Sequence, residues 1–168
     1  MYTNVFIVSD HLLTIDVVAF LKCLEKETKH SVIWTGGGAA SLIVFLRCLG
    51  FNYDQMIEKL SNLECLSSLI YAGCLDMNCE SLVNSELDEW FEQIFEGKKL
   101  FNKDITLKEI YKMTKIFPNF ITSTNNTIVT LNPKNTPEYR IIDCVKASLT
   151  NVGTIPSNSL FTNDSQFI

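Results

Sequence analysis

"VIWTGGGAASLIVFLRCLGF" is the stretch at residues 32–51 that decides the fold. A short apolar run meets three consecutive glycines. Two alanines and a serine then lead into a segment that is apolar almost all the way round. This order predicts a short strand over residues 31–34, a tight turn through the glycines, and a helix that is covered on most sides. Gly50 is placed to end that helix as the residue just beyond its C-cap.

The segments before this stretch continue the same alternation. Residues 4–9 are β-branched and aromatic and predict a buried strand, and residues 14–27 have the apolar spacing of one helix. Because strand, helix, strand and helix follow one another with short connections, the sequence predicts an α/β fold with a mostly parallel sheet.

The second half of the chain carries clear helix signals. Asn52 with Gln55, and Thr106 with Glu109, fit an N-cap residue and its partner three positions later. Residues 85–96 carry an apolar stripe of helical spacing, for which core packing is favoured over a partner-binding face. These patterns predict three further helices: two that start after Asn52 and Thr106, and one over residues 85–96.

The last part of the sequence returns to strands and ends in a helix pattern. Residues 119–124 and 127–133 predict two strands joined around Asn125 and Asn126, residues that tolerate tight turns. Residues 140–149 predict a final amphipathic helix. No repeat or linker interrupts the chain, so a single domain over residues 1–168 is expected.

Composition excludes several classes of function. Hydrophobic residues make up 46% of the 168 residues and charged residues 20%, which supports a real core rather than disorder. The net charge is −5 and the lysines are scattered, so no nucleic-acid partner is predicted.

Targeting and metal signals are weak. The N-terminus lacks the pattern of a signal peptide, and the longest apolar run is too short for a transmembrane segment. The six cysteines show no paired CxxC spacing and there are only two histidines, so no metal and no cofactor are predicted. The expectation is a cytoplasmic, intracellular protein with buried, reduced thiols, able to associate with membranes peripherally.

The glycine turn does not fit the phosphate-binding motifs. A P-loop needs Gly-Lys-Ser or Gly-Lys-Thr, and no lysine is near. A dinucleotide-binding fingerprint needs a third glycine where Ser41 stands. The small residues do match the steric profile of a nucleophile elbow, G-x-S-x-G, although no serine occupies the centre.

The chain as a whole resembles the patatin-like phospholipases. The likeness rests on the order and spacing of several segments rather than on one motif. These segments are "FLKCLEKE" (20–27), "GGGAA" (36–40) with the helix behind it, "TLKEIY" (106–111), "KNTPEY" (134–139), "VKASLTNVGTIP" (145–156) and "LFTNDSQF" (160–167). The resemblance implies a three-layer patatin-like α/β sandwich with a mostly parallel central sheet.

The resemblance also implies positions for a Ser–Asp dyad that hydrolyses lipid esters. The serine position falls on Gly38 and the aspartate on Asp164. The glycine-rich oxyanion loop falls on Ser9, Asp10 and His11. The remaining elbow positions are Gly36, Gly37, Ala39, Ala40 and Ser41.

Departures from the family pattern argue against catalysis. Gly38 has no side chain to attack an ester, and Ala40 replaces a glycine. Asp10 places negative charge where an oxyanion would develop, and no glycine remains in that loop. The family's Asp-Gly-Gly has become Asp164-Ser165-Gln166. We therefore expect a pseudoenzyme that retains a role in binding a lipid, an acyl chain, a protein partner or a second copy of itself.

Two other interpretations stay open. One is an active lipid acyl hydrolase in which a non-standard serine, or one supplied by a second chain, completes the site. The other is a truncated gene product without retained function, suggested by the end at Ile168.

Three structural expectations follow. Gly38 should lie at the tip of a strand–turn–helix with positive φ. Asp164 should lie within reach of a serine placed at position 38. The early end of the chain should leave a sheet edge or an apolar surface exposed, which self-association could cover.

Overall fold

A computed structural model describes residues 4–9, 14–28, 30–63, 79–124 and 127–150 of the chain. Its strands are β1 (Asn4–Ser9), β2 (Ile33–Gly38), β3 (Phe117–Thr124) and β4 (Thr127–Leu131). They form one sheet in the order β1-β2-β3-β4. The pairs β1–β2 and β2–β3 are parallel, and β3–β4 is an antiparallel hairpin. The predicted α/β fold with a mostly parallel sheet is confirmed.

Seven helices lie in the described ranges. They are α1 (Thr14–Cys23), α2 (Glu25–Thr28), α3 (Ala40–Cys48), α4 (Tyr53–Ser61), α5 (Cys79–Glu96), α6 (Leu107–Thr114) and α7 (Ile141–Thr150).

The prediction of one helix over residues 14–27 is wrong, because the helix is interrupted at Leu24. The N–H of Leu24 donates both to the Phe20 oxygen, at 3.2 Å, and to the Leu21 oxygen, at 3.1 Å. Such shared bonds mark the tightened end of a helix. Leu21 is buried, whereas residues 22–26 are exposed, so no packed face holds the helix together beyond this point.

The predicted helix caps are confirmed. Asn52 and Gln55 exchange side-chain and backbone hydrogen bonds at the start of α4. Gly50 has φ +76° after α3, and the N–H of Phe51 donates to the Leu46 oxygen at 3.1 Å. This 6→1 bond, with the Gly50 N–H donating to Arg47, forms a Schellman motif that satisfies the last carbonyls of α3.

The start of α6 is a second capping box. The Glu109 N–H donates to the Thr106 Oγ1 at 3.3 Å, and the Thr106 N–H donates to the Glu109 carboxylate at 2.9 Å. The backbone hydrogen bond from Thr106 lowers the pKa of Glu109. A carboxyl whose folded-state pKa is lowered stabilises the fold above its unfolded pKa, and this stabilisation is lost as the pH falls through the folded value.

We expect Thr106→Ala to lower the free energy of unfolding by about 1 kcal/mol, because the N3 amide loses its acceptor. Urea unfolding at neutral pH measures the change. Thr106→Ser keeps the oxygen and should lose much less. An equal loss in both variants would show that the hydroxyl oxygen is not the source of the stabilisation.

The core lies between the sheet and the helices on one of its faces. A side chain added at Gly36 of β2 would collide with α3, so α3 lies on the Gly36 face. Gly36 is in register with Phe120, and the nearby Thr122 hydroxyl donates to the Ala147 oxygen of α7 at 2.8 Å. Phe120 and Thr122 are two residues apart in β3, so their side chains lie on the same face of the sheet. The helices α3 and α7 therefore pack on that same face.

The helix α3 is buried between the sheet and further helices. Phe45 of α3 is fully buried and contacts three aromatic rings of α5, those of Trp90, Phe91 and Phe95. The apolar stripe of α5 is therefore core, as predicted. The described part of the chain thus forms a sheet, a middle layer of α3 and α7, and an outer layer that includes α5.

The opposite face of the sheet is much more exposed. Along β3, buried residues alternate strictly with half-buried ones over residues 117–123. We call this second surface the open face; its residues include Phe6, Ile33, Thr35, Phe117, Asn119, Ile121, Ile128 and Thr130. The strand order explains why this face is exposed. When parallel strands lie side by side in the order of the sequence, their right-handed crossover connections all pass over the same face of the sheet.

Candidate functional site

The glycine segment forms the predicted strand–turn–helix, with one correction. Gly38 is the last residue of β2 and has φ +61°, Ala39 turns, and α3 begins at Ala40. The predicted tip with a positive φ is confirmed. The prediction that the strand stops at Trp34 and that all three glycines turn is wrong, because Gly36 and Gly37 pair with both neighbouring strands.

Gly36 is required by close packing. A Cβ at this position would lie 2.7 Å from the Ala40 oxygen and 2.8 Å from the Val44 Cγ2. The backbone of β2 therefore touches α3 directly, and only glycine leaves enough room. At Gly37 a Cβ would be 3.4 Å from the Ile121 Cβ, an ordinary contact.

Gly38 is constrained by its backbone conformation. Its φ of +61° is in the left-handed region, which side chains other than glycine occupy only at a cost. A nucleophile elbow imposes this kind of strained turn between a strand and a helix, so that the central side chain stands clear of the sheet. Here Gly38 has a positive φ at the end of a strand but no side chain, so it cannot supply a nucleophile.

The end of β1 lies beside the elbow. Ser9 is in register with Gly38, and the two residues end neighbouring parallel strands at the same edge of the sheet. This is the place that the resemblance assigns to the oxyanion loop. Asp10, His11 and Asp164 lie outside the described residues, and their positions stay predictions.

Ser41 is not placed to replace the missing serine. It is the second residue of α3 and is fully buried, as is Ala40 before it. Its Oγ has no hydrogen-bond partner within the described part of the chain. A hydroxyl closed off from solvent in this way is out of reach of an ester substrate.

The described cysteines offer no activated thiolate at the elbow. Burial raises the pKa of Cys48 in α3 and the pKa of Cys144 in α7, because desolvation disfavours the thiolate. Both thiols are buried as predicted, whereas Cys23 at the end of α1 is exposed.

Sequence reasoning did not find a cavity of about 180 Å³ between the end of α4 and the side of α5. It is lined by Asn62, Leu63, Glu86, Glu89, Trp90 and Gln93. A signal was present in the sequence, because residues three and four apart lie on the same side of a helix. The spacing of Glu86, Glu89 and Gln93 therefore indicates a polar side of α5.

The described residues hold neither a candidate metal site nor a candidate membrane span. Across residues 4–9, 14–28, 30–63, 79–124 and 127–150, no group of three or more His, Cys, Asp or Glu side chains is arranged to hold a metal ion. None of the helices in those ranges is long and apolar enough to cross a membrane.

Comparison of the chain with protein-family models, with curated proteins and with solved structures found no match. The geometry of the elbow and the sequence resemblance are therefore the grounds on which a function is argued.

Proposed function

We propose that this chain is a patatin-like protein without hydrolase activity, which retains a role in binding a lipid or acyl chain or a protein partner. The observation that carries the proposal is Gly38. It ends a parallel strand with φ +61° directly ahead of a buried helix, which is the backbone of a nucleophile elbow with no nucleophile on it.

The neighbourhood of Gly38 supports this proposal. The residue after the turn is Ala40, which is fully buried against the sheet, where the family pattern has a glycine. The sequence continues after Ser9 with Asp10, a position that the resemblance assigns to the oxyanion loop. A carboxylate there opposes the negative charge that develops on the carbonyl oxygen during acyl transfer.

The size of these losses favours an inactive protein over a slow enzyme. Loss of a serine nucleophile leaves a rate only ~10³–10⁴ above that in water. Loss of one oxyanion donor costs a further factor of ~10²–10³. The two losses together remove nearly all of the rate enhancement.

The finer architecture implied by the resemblance, a three-layer sandwich, belongs to this proposal. It needs a second layer against the open face of the sheet. The two helices that make the main contacts with the sheet, α3 and α7, share the other face.

We expect that Gly38→Ser does not create esterase activity. The new hydroxyl would lack an oxyanion site of the right sign, and Ala40 would crowd the turn beside it. Turnover of p-nitrophenyl butyrate and labelling by a fluorophosphonate probe measure the outcome. Gly38→Ala is the matched control, since it introduces the same left-handed strain without a hydroxyl.

Two results would contradict the proposal. A gain of several orders of magnitude in Gly38→Ser over Gly38→Ala would show that the rest of the catalytic site is intact. Probe labelling of the unmodified chain would show that another residue acts as the nucleophile.

One observation favours the alternative, an active lipid acyl hydrolase with a non-standard nucleophile. Ser9 is in register with Gly38 on the neighbouring strand, so the two Cα atoms are only about 4.8 Å apart. If the unmodified chain is labelled by the probe and Ser9→Ala abolishes the labelling, this alternative replaces the proposal. If labelling persists in Ser9→Ala, a nucleophile supplied elsewhere in the chain or by a second chain is indicated.

A further inference from the structure

Helix α5 carries negative charge and no positive charge. Its 18 residues include neither Lys nor Arg, and its acidic residues are Glu80, Glu86, Asp88, Glu89, Glu92 and Glu96. Like charges three or four positions apart on a helix repel each other, and Glu96 lies in the last turn, where the helix dipole disfavours a negative charge. The apolar side of α5 packs on Phe45 of α3, so packing holds the helix in place despite this repulsion.

Most of these carboxylates lie together on the outer side of α5. We call this surface the acidic face; it consists of Glu86, Asp88, Glu89, Glu92 and Glu96. Glu86 is half-buried and the other four residues are exposed. Because neighbours on this face are mainly three or four residues apart, a partner that lies along α5 would contact a continuous row of carboxylates.

The cavity of about 180 Å³ shares two residues with this face and is lined by groups of the same sign. Glu86 and Glu89 contribute carboxylates, and Asn62 and Gln93 contribute amide oxygens. Asn62 also ends α4, where the helix dipole is negative. Trp90 completes the lining; it is 4% exposed, and its Nε1 donates to a backbone oxygen of α4 at 3.0 Å, which fixes the indole.

The chain does not supply a positive charge to this site. Among the described residues, no ion pair involves either of the carboxylates that line the cavity. Outside the described ranges, the only basic side chains in the sequence are His11 and Lys29. The stretch 64–78, which lies between α4 and α5 in the sequence, has two acidic residues and no basic one. The complementary charge is therefore expected to come from another molecule.

We propose that the acidic face and the cavity dock a basic segment of a partner protein, with the guanidinium group of one arginine seated in the cavity. A guanidinium is planar, stacks on aromatic rings and donates hydrogen bonds to carboxylate and amide oxygens, which are the groups that line this cavity. The cavity is smaller than the ~300–1,000 Å³ of a pocket for a drug-sized molecule, so it suits one side chain. Further basic side chains of the segment would lie along the acidic face toward Glu96.

Other occupants fit the charges of this site less well. A nucleic acid or an anionic lipid surface is repelled by the carboxylates and by the net charge of −5. A second copy of the chain carries the same net charge. None of the elbow residues lines the cavity, so this docking site goes beyond the proposed function and does not depend on it.

Fluorescence anisotropy of a labelled peptide, with the full chain as titrant, tests the proposal. The probe is a blocked peptide in which arginine and glycine alternate. We expect it to bind with a Kd on the order of 10–100 µM at about 50 mM salt, where surface charges are only partly screened. The same peptide with citrulline in place of arginine has nearly the same shape and no charge, and should bind at least about tenfold more weakly. The lysine peptide should bind several-fold more weakly, because an ammonium group does not stack or pair in a plane.

Variants of the chain locate the binding site. Glu89→Gln should weaken binding of the arginine peptide about fivefold, and the double variant with Glu86→Gln about tenfold or more. The matched control is Glu25→Gln, which removes an exposed helical carboxylate outside the acidic face and should change the Kd by less than about twofold. In the NMR spectrum, one of the two indole N–H signals should shift as the arginine peptide is added, since only Trp90 of the two tryptophans lines the cavity.

The proposal is overturned if the arginine peptide does not bind, or if the citrulline or lysine peptide binds as tightly. It is also overturned if Glu25→Gln weakens binding as much as Glu89→Gln, since the net charge alone then explains the attraction. Two other occupants would be detected directly. A marked drop in the melting temperature of the double variant would show that a basic group of the chain itself fills the cavity. A dimer in sedimentation that the double variant dissociates would show that a second copy does.

Discussion

Gly36→Ala is expected to lower the free energy of unfolding by about 3 kcal/mol, because the new methyl group has no room. It would meet the Ala40 oxygen at 2.7 Å and the Val44 Cγ2 at 2.8 Å. The oxygen belongs to the backbone of α3 and cannot turn aside as a flexible side chain would. The strand and the helix must separate, and separation opens the packing around Val44 in the core. Urea or thermal unfolding measures the loss.

Gly37→Ala is the matched control for this substitution. The two glycines are neighbours in β2, and both are paired with β1 and β3. At Gly37 the new methyl group would lie 3.4 Å from the Ile121 Cβ, which is ordinary contact, so the change should be about 1 kcal/mol or less. Equal losses at the two positions would show that general loss of glycine flexibility, and not the contact with α3, is responsible.

Phe45→Ala is expected to be the other severe substitution, with a loss of about 3–5 kcal/mol. Phe45 is fully buried, and its ring centroid lies 5.1 Å from that of Phe91, 5.8 Å from Phe95 and 6.0 Å from Trp90. Truncation removes the ring that joins α3 to α5. The surrounding rings are too large to close the cavity without moving a helix.

Thermal or denaturant unfolding of Phe45→Ala measures this loss. Phe20→Ala is the comparison, because Phe20 is 63% exposed and its truncation should change stability by at most about 0.5 kcal/mol. A loss below about 1 kcal/mol in Phe45→Ala would show that α5 does not depend on this ring for its attachment.

Local signals in the sequence predicted local structure well. The caps at Asn52 and Thr106 and the helix end at Gly50 need only residues within one turn of each other. The tip of the elbow at Gly38 was predictable for the same reason, since a strand that turns sharply into a helix requires a residue that accepts a positive φ.

Features that depend on distant contacts were not predictable in the same way. Gly36 and Gly37 have low strand propensity, yet they lie in β2 because partners on β1 and β3 pair with them. The break at Leu24 depends on where burial stops along α1, and a continuous helical pattern does not reveal it. The cavity between α4 and α5 arises from the approach of two segments far apart in the chain.

The candidate site was predictable in part. The elbow and the place of Ser9 beside it follow from the pattern of two parallel strands and the helix behind the second. The arrangement of layers did not follow from that pattern alone. It depends on the strand order β1-β2-β3, which puts the crossover connections on one face of the sheet. The sequence of any single segment does not determine this order.

The strand order also affects how the chain can assemble while it is being synthesised. β1 and β2 leave the ribosome early, but β3 follows only after residues 39–116, which carry most of the helical core. Two strands alone are marginally stable in water, and closing a long loop adds an entropic cost that grows with the logarithm of its length. Until the β3–β4 hairpin has been synthesised, the edge of β2 that later pairs with β3 has no partner strand. This edge includes Gly36 and Gly37. A chain released before residue 117 would therefore expose that edge, and newly made copies would be vulnerable to aggregation at this stage of synthesis.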